Sequence, residues 1–153
     1  MSKVEHRLAA AGITLPSPVA PIANYVPFVR TGDLVHISGQ VSLDASGGIT
    51  GIVGEAVDLE TAQRAARLCG INLLAQMRAA CDGDLDRVIR VVKLGGFVQA
   101  GPDFFDIPSV VNGCSDVMVE AFGEAGRHAR SAVGVYRLPR NFAVEVDAVV
   151  EIA

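Results

Sequence analysis

The sequence has few cysteines and lacks the residue spacings that a metal site requires. Its three cysteines stand far apart with no Cys-x-x-Cys pair, and its three histidines show no ligand spacing. We therefore expect no metal site. Cys69 falls within an apolar stripe of helical spacing, which predicts a buried thiol in the core.

Long apolar runs and an excess of basic charge are also missing. No segment has the apolar length needed to span a bilayer, and the charged N-terminus lacks the apolar core of a signal peptide. The 13 Lys and Arg against 17 Asp and Glu give a net charge of −4, which disfavours broad nucleic-acid binding. No phosphate-cradling glycine loop and no G-x-S-x-G nucleophile motif occur. We expect a cytoplasmic protein without membrane association.

The hydrophobic pattern predicts a single α+β domain over residues 1–153. Half of the residues are hydrophobic, so the chain can bury one sizeable core. Three closely spaced prolines predict an N-terminal arm over about residues 1–24, with a short helix at its start. The remainder predicts the order β-β-β-α-β-α-β-β, with two helices on one face of a mixed sheet. The predicted strands begin near residues 25, 34, 39, 88, 128 and 144, and the helices near 59 and 108.

Two polar residues in the last two predicted strands are not required by core packing. Arg130 shares a strand face with the small residues Ala132 and Gly134, which leaves room for a ligand. Glu145 lies in the following strand, on the face opposite its apolar one. A guanidinium can bind a carboxylate, and a nearby acid can exchange protons with a water molecule. The two groups together predict an active site. A structural ion pair on a solvated sheet face fits the same pattern, and the pattern alone favours it.

The spacing leaves the relative position of these two residues open. If the strands pair through a turn near Pro139, Glu145 lies opposite Gly134 and on the same face as Arg130. The two side chains could equally converge across a subunit boundary.

Several motifs together resemble the Rid (reactive intermediate deaminase) family, also called YjgF-type or L-PSP proteins. The resemblance covers roughly residues 20–153, as a divergent branch in which His128 stands where the family signature has proline. The motifs that carry it are Ile37-Ser-Gly-Gln40, Ala80-Cys-Asp-Gly-Asp-Leu85, Val88-Ile-Arg-Val-Val-Lys93, Ala129-Arg-Ser-Ala-Val133, Leu138-Pro139 and Val144-Glu-Val-Asp-Ala148.

This resemblance implies a chorismate-mutase-like fold, a homotrimer and ligand clefts between subunits. It implies that Arg130 binds the carboxylate of small imine or enamine acids and that Glu145 assists water. It also implies that Tyr25, Ser38 and Gly39 line the pocket. The implied reaction is that of a 2-iminobutanoate/2-iminopropanoate deaminase-like hydrolase, which yields a 2-keto acid and ammonia without a cofactor.

The departures from the family pattern keep other functions open. The helix asparagine that often lines the family's pocket aligns nearest to Asp116, although Asn112 one turn earlier could replace it. Tyr25, Ser38 and Gly39 also fit purely structural roles in a strand or a bulge. Two alternatives to the deaminase therefore stand: a non-catalytic trimeric binder of small carboxylate metabolites, and an endoribonuclease, which the acidic charge balance disfavours.

Overall fold

The computed structural model describes residues 1–21 and 23–153, so Ile22, within the predicted arm, lies outside the described residues. Over the described residues the chain forms three α-helices and five strands, which confirms the predicted α+β class. In chain order they are α1 (Lys3–Ala10), β1 (Phe28–Thr31), β2 (Leu34–Val41), α2 (Leu59–Ala80), β3 (Val88–Gln99), α3 (Ile107–Phe122), β4 (Ala129–Val135) and β5 (Val144–Ile152).

The strands form one mixed sheet in the order β1-β2-β5-β3-β4, in which β3 and β4 are parallel and the other neighbours antiparallel. Both helices pack on one face of the sheet, α2 against β2 and β5 and α3 against β3 and β4. Alternate residues of β5 on that face, such as Val146 and Val150, are fully buried. The opposite face carries Glu145 and Asp147, which are half-buried. The core therefore lies on one side of the sheet, and the polar candidates of β5 lie on the other.

A separate strand beginning at residue 39 does not form, so this part of the predicted order is wrong. Residues 39–41 belong to β2, which keeps pairing with β5 after a bulge between Ile37 and Gln40. Gly39 lies in the bulge, where pairing is interrupted, and pairing with β5 resumes at Gln40. The strand therefore continues instead of ending. Between β2 and α2, the described residues form isolated bridges, such as that between Thr50 and Phe142, and no further strand.

The last two strands are not neighbours, because β3 lies between them. β4 follows the α3 crossover and pairs parallel with β3, whereas β5 pairs with the other edge of β3. Leu94 and Val98 of β3 are fully buried, which suits a central strand. The expected pairing of Glu145 with Gly134 is therefore wrong: Glu145 lies opposite Phe97, and Gly134 lies opposite Val98.

Helix α2 begins and ends where its caps predict. The Asp58 carboxylate accepts a hydrogen bond from the backbone N–H of Thr61 at 2.8 Å, which satisfies one of the unpaired donors of the first turn. At the other end, Gly83 has a φ of 94° and donates its N–H to the Arg78 carbonyl at 2.8 Å. Cys69, within this helix, is fully buried as predicted.

Helix α3 packs closely on α2 through a glycine. It begins at Ile107, one residue before the predicted Pro108, and ends at Gly123, which has a φ of 62°. A Cβ placed on Gly113 would overlap the backbone carbonyl of Gln63 in α2. The absence of a side chain at this position therefore lets the two helix backbones approach each other.

The N-terminal segment is fastened to the rest of the chain by hydrogen bonds. The Asp86 carboxylate accepts from the backbone N–H groups of Lys3 and Val4, at 2.9 and 3.0 Å. Further along, the Gln76 side chain donates to the Val19 carbonyl at 3.0 Å. The first contacts join α1 to the turn before β3, and the last joins Val19 to α2 beside the cavity described next.

Candidate functional site

A cavity of about 190 Å³ lies at the end of the sheet where β2 and β5 meet. Four residues singled out in the sequence line it: Tyr25, Ser38, Gly39 and Glu145. Arg130 is not among its lining residues. The structure thus brings together four of the five predicted site residues within one chain and places the fifth elsewhere.

The β2 bulge shapes the floor of this cavity. A Cβ placed on Gly39 would lie 2.9 Å from Cδ and 3.0 Å from Oε1 of Glu145, closer than side-chain contacts normally come. Gly39 does not have a positive φ, so steric room for Glu145, and not backbone conformation, accounts for the glycine. The backbone at Gly39 therefore lies directly against the Glu145 side chain, with no room for a side chain of its own.

Glu145 has an unusual electrostatic environment for a carboxylate. Burial raises the pKa of Glu145 above 4.5, and the neighbouring Asp147 carboxylate raises it further. No described residue donates a hydrogen bond or forms an ion pair with the Glu145 carboxylate. A half-buried carboxylate without such a partner retains its capacity to accept a proton.

Ser38 and Tyr25 occupy the cavity rim in different ways. The Ser38 hydroxyl donates to the Val26 carbonyl at 2.8 Å, and its backbone N–H donates to the Pro27 carbonyl at 2.9 Å. Tyr25 is 52% exposed and precedes β1, so the strand predicted from residue 25 begins only at Phe28. Pro27 explains the shift, because it has no N–H to contribute to a strand ladder.

Arg130 is held by three acceptors on α3. Its Nη1 donates to Oδ1 of Asn112 at 2.8 Å and to Oγ of Ser115 at 3.1 Å, and its Nη2 donates to the Pro108 carbonyl at 3.4 Å. No described residue accepts from its Nε–H. A guanidinium has five N–H groups, so Nε–H and one Nη2–H stay available on a single edge. That edge has the geometry for a bidentate, side-on carboxylate contact.

Within one chain, Arg130 and Glu145 point to opposite faces of the sheet. Arg130 lies opposite Leu94, whose side chain is buried beneath the helices, whereas Glu145 lies opposite Phe97 on the other face. The same-face arrangement considered from the sequence is therefore wrong for a single chain. The physical reason is that β3 lies between β4 and β5, so each of these two strands pairs with β3 in its own register.

The structure settles which helix side chain accompanies Arg130. Asn112 accepts a hydrogen bond from the guanidinium, whereas Asp116, which lines the same polar groove of α2 and α3 as Asn112, does not. Of the two candidates left open by the sequence, Asn112 is therefore the one beside Arg130. Ser115, which also contacts Arg130, was missed, although its three-residue spacing from Asn112 places both on one helix face.

Three cavity-lining residues also escaped the sequence-based search: Asn72, Arg140 and Phe142. Asn72 fixes the end of β2, because its amide donates to the carbonyls of Val41 and Leu43 at 3.2 and 2.9 Å. Arg140 has a φ of 53° and follows the Leu-Pro motif, which was the available signal for it.

Metal ligation and membrane insertion find no support in the residues that the structure describes. No three His, Cys, Asp or Glu side chains within residues 1–21 and 23–153 cluster as ligands would. No helix in that part of the chain combines the length and apolarity needed to cross a membrane. The three cysteines are buried, and burial raises the pKa of Cys114 to about 12, so this thiol is inert.

The fold and the cavity define the class of protein to which this chain belongs. A five-stranded mixed sheet with helices on one face, and a Ser-Gly bulge over a half-buried glutamate, is the chorismate-mutase-like architecture with the Rid motifs in place. Residues 5–152 match the family described as "YjgF/chorismate_mutase-like, putative endoribonuclease". The chain belongs to this family.

Similar proteins cover nearly the whole chain. Protein TCP17 of Trypanosoma cruzi is 48% identical over 98% of this chain and 94% of its own length. A 2-iminobutanoate/2-iminopropanoate deaminase of Dermatophagoides farinae is 30% identical over 92% of this chain and 94% of its own. The crystal structure of Atu1372 from Agrobacterium tumefaciens superposes with a TM-score of 0.92 at 48% identity, covering 98% of this chain and 92% of that one.

Proposed function

We propose that this protein hydrolyses 2-imino and enamine acids to 2-keto acids and ammonia, in clefts between the subunits of a homotrimer. The observation that carries the proposal is the free side-on edge of the Arg130 guanidinium, which α3 holds in a fixed orientation. Membership of the family supports it, as does the 30% identity to a 2-iminobutanoate/2-iminopropanoate deaminase.

Arg130 binds the substrate carboxylate through the paired N–H groups of its free edge. A bidentate contact fixes the orientation of the substrate as well as its charge. The C2 carbon of a 2-iminium acid is already electrophilic, so positioning accomplishes much of the catalysis. This chemistry explains why the site requires no activated nucleophilic side chain.

Glu145 accepts the proton of the attacking water and later returns it. The water oxygen bonds to C2 while Glu145 accepts a water proton and the C=N electron pair moves to nitrogen. Glu145 then returns the proton to the amino group of the carbinolamine. The C–N bond breaks and ammonia leaves with its electron pair, while the hydroxyl passes its proton to the regenerated Glu145 carboxylate as the C=O of the keto acid forms. A carboxylate whose pKa is raised by burial and by Asp147 suits both proton transfers, with a contribution of about 10²–10⁴-fold.

Two copies of the chain form each site. Arg130 and Glu145 point to opposite sheet faces, so one chain cannot direct both at the same small molecule. A second copy placed against the polar sheet face brings its own Arg130 to the Glu145 cavity. The same contact buries Val29 and Val133, which are 53% and 46% exposed in the single chain. The resemblance to the Rid family suggests that three copies close the ring.

The first experiment measures 2-keto acid release from 2-iminopropanoate and 2-iminobutanoate generated in situ. We expect the wild-type protein to accelerate release and Arg130→Ala to lose that acceleration. Arg64→Ala is the matched control, because Arg64 is an exposed arginine that pairs with Glu60 on α2. Failure of folded wild-type protein to exceed the uncatalysed rate on both substrates overturns the deaminase proposal.

A mixing experiment tests whether the site is shared between subunits. Arg130→Ala and Glu145→Ala chains are unfolded and refolded together in equal amounts. If each cleft takes its arginine from one chain and its glutamate from another, about a quarter of the clefts regain both residues. No recovery of activity in verified mixed oligomers contradicts the shared cleft. Native mass spectrometry should give a particle of about 48 kDa, three times the chain mass of 16.0 kDa.

Glu145→Gln separates the deaminase from a carboxylate-binding protein without catalysis. A deaminase loses turnover in this variant but still binds the product 2-oxobutanoate. Binding without turnover in the wild type, unchanged by Glu145→Gln, identifies a metabolite-binding protein instead. The endoribonuclease alternative is less compatible with a net charge of −4 and scattered basic residues.

A further inference from the structure

We propose that Ser115 and His128 position the Arg130 guanidinium through a directional chain of hydrogen bonds that requires His128 to be neutral. This inference rests on the proposed function only for its kinetic consequence, since the chain of hydrogen bonds exists without a substrate. Both are positioning residues, because neither is placed to touch the reacting atoms.

The direction of the chain is set by a carbonyl group. Nδ1 of His128 lies 2.6 Å from the carbonyl oxygen of Gly126, which can only accept. Nδ1 must therefore carry the hydrogen, and in the neutral ring Nε2 must be the acceptor. Nε2 lies 2.9 Å from Oγ of Ser115, so the serine hydroxyl donates its proton to the histidine.

This orientation leaves the lone pairs of Ser115 for the arginine. Arg130 donates from Nη1 to Oγ of Ser115 at 3.1 Å and to Oδ1 of Asn112 at 2.8 Å. Both N–H groups of Nη1 are thereby used, and the guanidinium cannot rotate about the Cδ–Nε bond without losing these hydrogen bonds. The free Nε–Nη2 edge then points in one direction, as a carboxylate contact requires.

Protonation of His128 disrupts this arrangement. A charged imidazole donates from both nitrogens, so Ser115 can no longer donate to it, and the Ser115 oxygen must accept from two cations brought close together. The surroundings already disfavour that form: burial lowers the pKa of His128 below 6.5, and the Arg130 charge lowers it further, against the Gly126 contact. The other charged groups nearby have partners of their own. Arg90 donates to the carbonyl of Arg127, and the Arg127 side chain pairs with Glu124.

The first test needs no substrate. Nitrogen-15 spectra of the histidine rings in the ligand-free protein should show His128 as the Nδ1–H tautomer, titrating below 6.5. Ser115→Ala removes the partner of Nε2 and should shift the Nε2 resonance. A neutral ring protonated at Nε2, or a His128 that titrates at or above 6.5, overturns the proposal whether or not the protein is a deaminase.

The second test measures KM for 2-iminobutanoate, and Kd for 2-oxobutanoate, across the pH range in which His128 titrates. We expect Ser115→Ala and His128→Ala each to raise both constants about 5- to 10-fold, the size of one typical lost hydrogen bond. The double variant should be no worse than either single one, because both residues act through one chain of contacts. Asp116→Asn on the same helix should match the wild type.

The pH dependence distinguishes positioning from a general structural role. In the wild type, KM and Kd should rise as the pH falls through the His128 pKa, and Ser115→Ala should abolish that rise. Wild-type constants in both single variants overturn the proposal. If 2-oxobutanoate binding shows the expected losses while no imine is hydrolysed, the positioning chain stands and the deaminase proposal falls.

Discussion

Gly39→Ala tests the site with the smallest possible perturbation, a single methyl group. The new Cβ would lie 2.9 Å from Cδ and 3.1 Å from Cγ of Glu145, whereas carbon atoms in contact normally stay about 3.5–4.0 Å apart. The carboxylate must therefore move by about 0.5–1 Å. A displacement of about 1 Å in a catalytic group can cost about 10²-fold in rate. We expect kcat to fall by that order.

The same substitution should leave the fold intact. Gly39 has no positive φ, so alanine adopts its backbone conformation without strain. Replacing glycine at such a position stabilises by about 0.4–1 kcal/mol through the unfolded chain. Moving the Glu145 side chain offsets part of this gain, and the free energy of unfolding should stay within about 1 kcal/mol of the wild type.

The assay combines steady-state hydrolysis of 2-iminobutanoate with chemical denaturation at a fixed protein concentration. Ser38→Ala, which removes only the hydroxyl bonded to Val26, serves as the neighbouring control and should retain most of its turnover. Gly39→Ala with wild-type kcat refutes the role of Glu145 in the reaction. Loss of activity that merely tracks a large loss of stability refutes the steric reasoning.

Three further predictions concern charge and packing. Arg130→Lys keeps the charge but loses the planar guanidinium with its paired N–H donors, so KM should rise at least about 10-fold. An unchanged KM contradicts a bidentate contact. Glu145→Gln should stabilise the fold at pH 7 by up to about 1 kcal/mol, since the raised pKa of Glu145 makes its ionised form unfavourable. That gain should shrink as the pH falls through the raised pKa of Glu145 and disappear below 4.5, where the wild-type carboxyl is protonated in both states; a destabilised variant in denaturation curves across pH contradicts it. Gly113→Ala should lower the free energy of unfolding by about 1–3 kcal/mol through overlap with α2, despite the better helix propensity of alanine, whereas the exposed Val119→Ala should change it by less than about 0.5 kcal/mol.

The helices were predictable because their signals are local. Asp58 and Gly83 each act within a few residues of their own end of α2, and the apolar stripe lies between them, so the bounds follow from capping and periodicity. The family motifs also depend on short stretches, such as those around Ser38 and Arg130. Domain class and candidate site residues therefore came from the sequence without knowledge of the packing.

The neighbours of each strand were not predictable in the same way. Period-two alternation assigns Glu145 to one face of its own strand, but it does not say which strand lies beside it. The interposition of β3 between β4 and β5 depends on pairing between residues distant in the chain. The contacts of Arg130 with Asn112 and Ser115 depend likewise on how α3 lies across the sheet.

The sequence by itself thus determined the chemical groups, the α+β class and the faces on which residues alternate. Only the tertiary structure decided that Glu145 lies under the Gly39 bulge, and that Arg130 lies on the opposite sheet face with one edge of its guanidinium free. The physical reason is that local propensities act within a turn or a strand. The order of strands is set by burying the whole apolar surface at once.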